Sequence, residues 1–250
     1  EAPCMQQPRV GAGAVEIGGS LYVSGGHDGS SGLSCGEVFE ADKGTWRPLP
    51  PMNCRRFGPV AGNLSGSLCI CGGRDGFDAL DTAECFDLET GVWTALPNMS
   101  MRRSGPAGGT HGGSLYIFGG FDGINLLTAA ERIDSREGVW TRLPSMRTPR
   151  FGAAAAILDD ALYACGGSRE GLSLDSVECF DPRAGSWMMK PPMGTPRSGA
   201  AAVVHDGKAL LCGGFDGRAH LASTDLFNSR SRSAQSAWRP ALSLCTARDV

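Results

Sequence analysis

Short apolar stretches alternate with glycine-rich turns along the whole chain, without a helical period. One unit shows the pattern: an apolar run from Gly152 to Leu158, the segment from Leu162 to Gly167, the stretch from Val177 to Asp181, and Trp187. Runs of this length between glycines are typical of short buried strands. The alanines at the start of this unit are replaced by glycine-containing segments in other copies, and glycine is a poor helix former. The pattern predicts four short antiparallel strands per unit.

The same unit occurs five times in constant register. A double glycine closes the second strand at positions 25, 72, 119, 166 and 213, each 47 residues after the last. The arginines that open the units have the same spacing: Arg9, Arg56, Arg103, Arg150 and Arg197. Because one such unit cannot bury its apolar faces alone, the units must stack on one another. We therefore predict a single domain over residues 1–250, with repeats at about 9–55, 56–102, 103–149, 150–196 and 197–247 and the start of a further repeat at 248–250.

Charge and hydropathy exclude several classes of protein. The formal net charge of -3 predicts neither a nucleic-acid-binding surface nor a membrane-attracting one. No apolar run reaches the roughly 18 residues of a membrane span. The first residues, Glu1-Ala2-Pro3, have no signal-peptide pattern. We expect a cytoplasmic protein without a cofactor or a bound metal.

The ten cysteines are expected to be reduced and mostly buried. Cys85 and Cys179 share a repeat position with valine, arginine and leucine, so they fill strand positions as small apolar side chains. Cys69 and Cys71 form an i, i+2 pair that lacks the second ligand pair of a zinc site. The cysteine pattern therefore predicts a reducing compartment.

The succession Pro-Arg-x-Gly, Leu-Tyr-x-x-Gly-Gly, Glu-x-Phe-Asp, Trp and Pro-x-Met resembles the kelch repeat, and it covers essentially the whole chain. The chain resembles the kelch domain of BTB-kelch substrate adaptors. The resemblance implies an all-β kelch β-propeller of four-stranded antiparallel blades. Five blades are present, and both a closed five-bladed ring and an incomplete six-bladed ring are compatible with the repeats.

Residues that recur in every copy are interpreted as structural. Fivefold repetition argues against a catalytic role, since one active site does not need five equivalents. We expect the tryptophans to pack between adjacent blades and to bury a large apolar area. We expect each opening arginine to pair with the acid of the third strand. The tryptophans are Trp46, Trp93, Trp140, Trp187 and Trp238, and the acids are Glu37, Glu84, Glu131, Glu178 and Asp225.

Partner binding is expected where the copies differ. In kelch substrate adaptors a partner peptide binds the mouth of the central channel, and the resemblance implies two sets of contact residues. The first set follows the opening arginine: Val10, Phe57, Ser104, Phe151 and Ser198. The second set follows the double glycine: His27, Arg74, Phe121, Ser168 with Arg169, and Phe215. Arginine can bind a carboxylate or phosphate here, and aromatic rings can anchor a peptide. The structural alternative is that Phe57 and Phe151 simply fill the channel.

A basic, serine-rich insertion lengthens the last hairpin. It comprises Ser229-Arg230-Ser231-Arg232-Ser233. We interpret it as a solvated hairpin tip, with a phosphorylation or docking site as the alternative.

The leading hypothesis for function is a protein-binding module. Through the resemblance, it would be the substrate-recognition part of a cullin-based ubiquitin ligase adaptor, with a BTB region that this sequence does not contain. A cytoskeletal, actin-associated scaffold is the first alternative. A kelch-fold enzyme is the second alternative. A copper oxidase of this fold is disfavoured because the three tyrosines, Tyr22, Tyr116 and Tyr163, share one repeat position. An iron site of the nitrile-specifier type requires a glutamate with an aspartate four residues later, and no glutamate of this chain has one. An enzyme of the sialic-acid epimerase type stays open.

Overall fold

The structure is a computed structural model that describes residues 3–231 and 237–241. Its main elements are five four-stranded sheets, in which the strands follow one another in chain order. Sheet 1 contains β1 (Gly13–Ile17), β2 (Ser20–Ser24), β3 (Gly36–Glu40) and β4 (Thr45–Leu49). Sheet 2 contains β5 (Val60–Leu64), β6 (Ser67–Cys71), β7 (Ala83–Asp87) and β8 (Val92–Leu96). Sheet 3 contains β9 (Ala107–His111), β10 (Ser114–Phe118), β11 (Ala130–Asp134) and β12 (Trp140–Leu143).

The last two sheets follow the same plan, with one addition. Sheet 4 contains β13 (Ala154–Leu158), β14 (Ala161–Cys165), β17 (Val177–Asp181) and β18 (Ser186–Lys190), and a separate small hairpin joins β15 (Ser168–Arg169) to β16 (Leu172–Ser173). Sheet 5 contains β19 (Ala201–His205), β20 (Lys208–Cys212), β21 (Thr224–Phe227) and β22 (Trp238–Pro240). The prediction of all-β, four-stranded antiparallel blades is confirmed. The predicted start of a further repeat at 248–250 lies outside the described residues.

Two-residue turns join the first two strands of each sheet. In the fourth sheet the turn residues Asp159 and Asp160 have φ values of 50° and 59°. Positive φ at both central positions is the geometry of a type I′ turn, whose twist matches that of the flanking strands. The turn also sets the strand register, which pairs Leu158 with Ala161 and Ala154 with Cys165.

Close backbone packing explains the double glycine. A side chain at Gly72 would place its Cβ 2.9 Å from the carbonyl oxygen of Arg103, and a Cβ at Gly73 would lie 2.9 Å from the carbonyl oxygen of Phe57. Both glycines have positive φ. Glycine is therefore required here for two reasons: a Cβ would clash with a carbonyl oxygen, and the positive φ is unfavourable for other residues.

The chain divides into two compact units, each with its own core. Unit 1 comprises residues 3–117, 121–125 and 131–142, and unit 2 comprises residues 118–120, 126–130, 143–231 and 237–241. In unit 1, one apolar cluster packs sheet 1 against sheet 2 around Val38, Leu68 and Ile70. A second cluster packs β6 against β10 through Cys71 and Ile117. In unit 2, Cys165, Val177 and Leu211 belong to one cluster, which packs sheet 4 against sheet 5.

The side chain of each opening arginine is buried and bonds to several segments of its own repeat. Arg56 is 1% exposed. Its Nη1 donates to the carbonyl oxygens of Gly72 and Thr82, each at 2.9 Å, and its Nε donates to Glu84 Oε1 at 3.0 Å. Glu84 Oε2 accepts the backbone N–H of Asn53 at 2.9 Å. One ion pair thus ties together the opening segment, the end of the second strand and the start of the third.

All five repeats contain this contact. The closest nitrogen–oxygen distances are 3.1 Å for Arg9–Glu37, 3.0 Å for Arg56–Glu84, 2.9 Å for Arg103–Glu131, 3.1 Å for Arg150–Glu178 and 2.8 Å for Arg197–Asp225. Burial lowers the pKa of Arg103 and Arg150, and the facing glutamate opposes that shift in each case. Removing one partner would leave an uncompensated buried charge.

The tryptophans lie on the outermost strands and are half-buried, and the expectation that each buries a large apolar area between blades stays a prediction. One face packs inward: Trp93 contacts the core cluster that joins sheets 1 and 2. The indole N–H points back to the preceding repeat, where Trp93 Nε1 donates to the carbonyl oxygen of Pro50 at 2.9 Å.

Two cysteines depart from the expectation of reduced thiols. Cys69 on β6 and Cys85 on β7 are directly opposite in the strand register and form a disulfide. The repeat position of a single cysteine does not reveal which residue faces it across the sheet; in the fourth repeat the facing pair is Tyr163 and Cys179. The buried thiols of Cys71 and Cys165 are free, and burial raises the pKa of each to about 12.

In the described part of the chain, no helix is long and apolar enough to cross a membrane.

Substitution Glu131→Gln tests the buried ion pair. We expect it to lower the free energy of unfolding by about 3–5 kcal/mol, because the Arg103 guanidinium would stay buried without its anion. Urea unfolding followed by tryptophan fluorescence measures the change. The control is Glu137→Gln, which alters an exposed glutamate in the next turn. Equal, small shifts for both variants would contradict the structural role of the pair.

Peptide mapping tests the disulfide. Digestion without reductant should release the peptides of Cys69 and Cys85 as one cross-linked species, and reduction should separate them.

The exposed Cys4 should be alkylated readily in the native protein, whereas Cys71 and Cys165 should react slowly because their thiols stay protonated at neutral pH. The cross-link closes a sequence separation of 16 residues. Its loss should destabilise the fold by about 3 kcal/mol. Complete alkylation of both cysteines without reductant would contradict the assignment.

Candidate partner-binding surface

The two predicted sets of binding residues are paired with each other by backbone hydrogen bonds. Phe57 N–H donates to the carbonyl oxygen of Arg74 at 2.8 Å, and Arg74 N–H donates back at 3.0 Å. The double glycine makes this possible because it turns the following loop against the opening segment. In unit 1 the bridged pairs are Val10–His27, Phe57–Arg74 and Ser104–Phe121. In unit 2 they are Phe151–Ser168 and Ser198–Phe215.

Phe57 is the centre of a cation–aromatic cluster in unit 1. The Arg74 guanidinium carbon lies 5.4 Å from the centre of the Phe57 ring. The His27 ring meets Phe57 edge to face at 5.9 Å. A Cβ at Gly11 would lie 2.7 Å from the Phe57 ring, so this glycine creates the space that the ring occupies. The arginine stays exposed while the ring positions it.

The hydrogen bonding of His27 leaves one ring nitrogen for a ligand. His27 Nδ1 accepts the backbone N–H of Gly29 at 3.0 Å. In a neutral imidazole the other nitrogen, Nε2, then bears the proton and is a donor. Arg74 and His27 together offer donors beside an aromatic surface, which suits a carboxylate or a backbone carbonyl oxygen.

The remaining residues predicted for unit 1 differ in their exposure to solvent. Val10 is exposed, and Phe57 and Phe121 are half-buried. Ser104 is only 6% exposed, so its hydroxyl contributes little surface. The alternative for Phe57, that it fills space, agrees with its packing on Gly11, but part of the ring is still accessible.

The fourth repeat places Arg169 differently from Arg74. Arg169 and Leu172 pair in the small hairpin of β15 and β16, whose turn residues Glu170 and Gly171 have φ values of 52° and 80°. The displaced glycine of this repeat therefore forms a type I′ turn. Arg169 Nε pairs with Glu170 Oε1 at 3.3 Å, and the Arg169 side chain is 50% exposed.

In unit 2, predicted residues of the fifth repeat form hydrogen bonds with the fourth repeat. The Ser173 hydroxyl donates to the carbonyl oxygen of Phe215 at 2.9 Å and lies 3.2 Å from the Ser198 hydroxyl. The Phe215 ring packs against His220 at 5.3 Å. The predicted residues of unit 2 thus make more hydrogen bonds within the protein than those of unit 1, and these groups are less available to a partner.

The sequence analysis missed a set of exposed apolar side chains at the loop tips. Phe77 is 99% exposed, Ile124 is 85% exposed and Leu172 is 72% exposed. Each directly follows the glycine of an Asp-Gly or Glu-Gly turn; Phe77 and Ile124 share one repeat position, and Leu172 is displaced from it by one residue. A large apolar residue directly after the turn glycine was the sequence feature that could have predicted these exposed side chains.

The described part of the basic insertion is anchored to the fourth repeat. Arg230 Nη2 pairs with Asp159 Oδ1 at 2.6 Å, and the Ser229 hydroxyl donates to the same carboxylate. These contacts lower the pKa of Asp159. Arg232 and Ser233 lie outside the described residues, so the predicted phosphorylation or docking site there stays untested.

Among residues 3–231 and 237–241, no group of three or more His, Cys, Asp or Glu side chains is arranged to hold a metal ion.

The repeat sequence and the blade geometry define the class of protein. The Kelch motif model matches residues 8–53, 55–100, 102–147, 149–194 and 196–240. The chain belongs to the Kelch motif family, whose propellers generally bind proteins.

Two known proteins are similar to this chain over very different lengths. The solved structure of YjhT has a TM-score of 0.80 at 16% sequence identity, and the match covers 94% of this chain and 84% of that chain. This likeness shows the fold. An Arabidopsis thaliana protein that carries the name F-box/kelch-repeat protein is 45% identical over 51 residues. That match covers 20% of this chain and spans 13% of the length of the relative.

Proposed function

We propose that this protein recognises a partner protein by binding an extended segment at the bridged pairs of unit 1. Phe57, Arg74 and His27 are the principal contacts. The observation that carries the proposal is the exposed Arg74 guanidinium held 5.4 Å over the Phe57 ring. The kelch resemblance implies that these residues lie at the mouth of the central channel.

The chemistry of these three residues favours a carboxylate-bearing segment. A guanidinium can bind a carboxylate through two parallel hydrogen bonds. An aromatic ring supplies apolar contact at low entropic cost, and arginine and aromatic residues are enriched among the residues that contribute most to binding energy. The repeat does not require these residues. Arg74 and His27 are replaced by other residue types in every other copy, and Phe57 is replaced in three of the other four copies, the exception being Phe151.

The fixed backbone around the cluster also supports binding. Phe57 and Arg74 belong to one hydrogen-bonded pair, and the neighbouring Arg56 is locked by its buried ion pair. A surface held in this way loses little conformational freedom when a ligand binds. Binding without catalysis is therefore the role that we propose.

We further propose that the module is the substrate-recognition part of a ubiquitin ligase adaptor. The support is twofold: the resemblance to BTB-kelch adaptors, and the F-box/kelch-repeat name of a relative that matches one repeat's length of this chain. A recruiting domain outside this sequence would supply the contact with the cullin.

Affinity purification tests the binding surface. The wild-type protein should capture specific partners from lysate. Arg74→Ala and Phe57→Ala should each reduce capture about tenfold, because each removes a central contact. The Arg74→Ala, Arg169→Ala double variant shows whether Arg169 adds to the effect. Arg47→Ala is the control, since Arg47 is an exposed arginine on β4 of the same unit.

The outcomes separate the two parts of the proposal. Equal capture by wild type, the Arg74 variants and Arg47→Ala would contradict binding at the bridged pairs. If capture depends on Arg74, depleting the protein from cells should lengthen the half-life of the captured partner. An unchanged half-life and unchanged ubiquitination of that partner would contradict the adaptor role and leave the binding role intact.

A further inference from the structure

We propose a second docking surface, the rim surface, formed by Arg55, Phe77 and Arg102 of unit 1. It binds an acidic segment of a protein partner and packs an apolar side chain of that segment against Phe77. These residues differ from the bridged pairs, and the proposal goes beyond the function proposed above.

Phe77 is presented to solvent on a rigid turn. Asp75 Oδ1 accepts the backbone N–H groups of Phe77 and Asp78, each at 3.0 Å. A backbone bridge between Arg74 and Ala79 closes the loop on both sides of the turn. The two hydrogen bonds keep the Asp75 carboxylate ionised by lowering its pKa. The loop therefore holds a phenylalanine that is 99% exposed in a defined position.

The fold does not need phenylalanine at this position. The equivalent residues of the first and fifth repeats are Ser30 and Arg218. An exposed aromatic ring gains nothing from intramolecular packing, and it gains much when a partner removes it from water. Ile124, also 85% exposed, occupies the same position on the next loop of unit 1 and extends the apolar surface.

Two arginines border the Phe77 loop, one on each side. Arg56 N–H, adjacent to Arg55, donates to the carbonyl oxygen of Leu33 at 3.1 Å, which fixes Arg55 at the end of the first loop. A Cβ at Gly32 of that loop would lie 3.6 Å from Arg55 Cβ and 3.8 Å from the carbonyl oxygen of Asp75. Arg55 therefore lies between the first loop and the Phe77 loop.

Arg102 is fixed in the same way on the other side. The N–H of its neighbour Arg103 donates to the carbonyl oxygen of Leu80, at the end of the Phe77 loop, at 2.9 Å. Arg102 is close enough to Asp75 to contribute to the lowered pKa of that carboxyl. The equivalent residues of the other three repeats are Pro8, Pro149 and Pro196. Arginine thus occurs at this repeat position only at residues 55 and 102, the two occurrences that precede and follow the Phe77 loop along the chain.

The Arg55 guanidinium favours an acidic occupant. Among the described residues, the Arg55 guanidinium has no hydrogen-bond or ion-pair partner. The Asp75 carboxylate uses one oxygen for its own turn, and Asp78 adds a second negative charge to the loop. The net charge of the surface is therefore small, and the arginines act at contact distance through directed hydrogen bonds. A partner with an apolar side chain between carboxylates matches both features.

A display library of random 16-residue peptides, panned on the wild-type protein, supplies the probe. We expect enrichment of peptides with Leu, Ile, Met or Phe flanked by Asp or Glu. Phe77→Ser, which installs the serine of the first repeat, should weaken binding of the selected peptides at least tenfold. Arg55→Gln and Arg102→Gln should each weaken it several-fold and reduce its dependence on salt.

Two control substitutions in unit 1 are matched to these variants. Val92→Ser removes a side chain that is 55% exposed on β8, and Arg47→Gln removes an exposed arginine on β4. Neither should change peptide binding. Because all these positions are exposed, each variant should keep the wild-type thermal stability.

Several results would overturn the rim surface. These are a library without enriched peptides, enriched peptides that are basic or uncharged, or selected peptides that bind Phe77→Ser as tightly as wild type. If Arg74→Ala abolishes binding while the rim variants bind normally, the peptides occupy the bridged pairs. The rim surface would then be wrong, and the proposed function would stand. Loss of binding in the rim variants, with normal binding by Arg74→Ala and by the two controls, would support the rim surface.

Discussion

The buried pair between the opening arginine and the third-strand acid is the contact on which each blade depends. Arg56 joins three segments of its repeat through Gly72, Thr82 and Glu84. An ion pair in this environment is costly to desolvate and gives little net stability against an apolar replacement, but losing one partner is severely destabilising. Its value lies in geometry. A planar guanidinium with several directed donors accepts one arrangement of its neighbours and fixes where the loops begin.

That geometry places the candidate binding residues. The residue after the arginine and the residue after the double glycine are hydrogen-bonded to each other in all five repeats. Both positions are therefore held by the backbone, and their side chains are free to vary. Unit 1 uses this freedom for a cluster of Arg74, Phe57 and His27, whereas unit 2 uses it for hydroxyls that bond internally. The difference in surface chemistry arises on one constant framework.

Much of the fold could be predicted from the sequence because the repeat supplies five copies of each signal. The strands, the type I′ turns and the arginine–acid contact all recur, so accidental features average out. Features that occur once were harder to interpret. The pairing of Cys69 with Cys85 depends on which residues face each other across two strands, and the sequence position of each cysteine alone pointed to an ordinary apolar site.

The sequence by itself determined the repeat length, the strand order and the residues that vary between copies. These depend on local patterns with periods of two residues or of one repeat. Only the tertiary structure decided which varying side chains are accessible. Ser104 is buried, Arg169 pairs with its neighbour, and Phe77 is 99% exposed. Exposure and pairing arise from contacts between segments that are distant in sequence, and no local pattern records them.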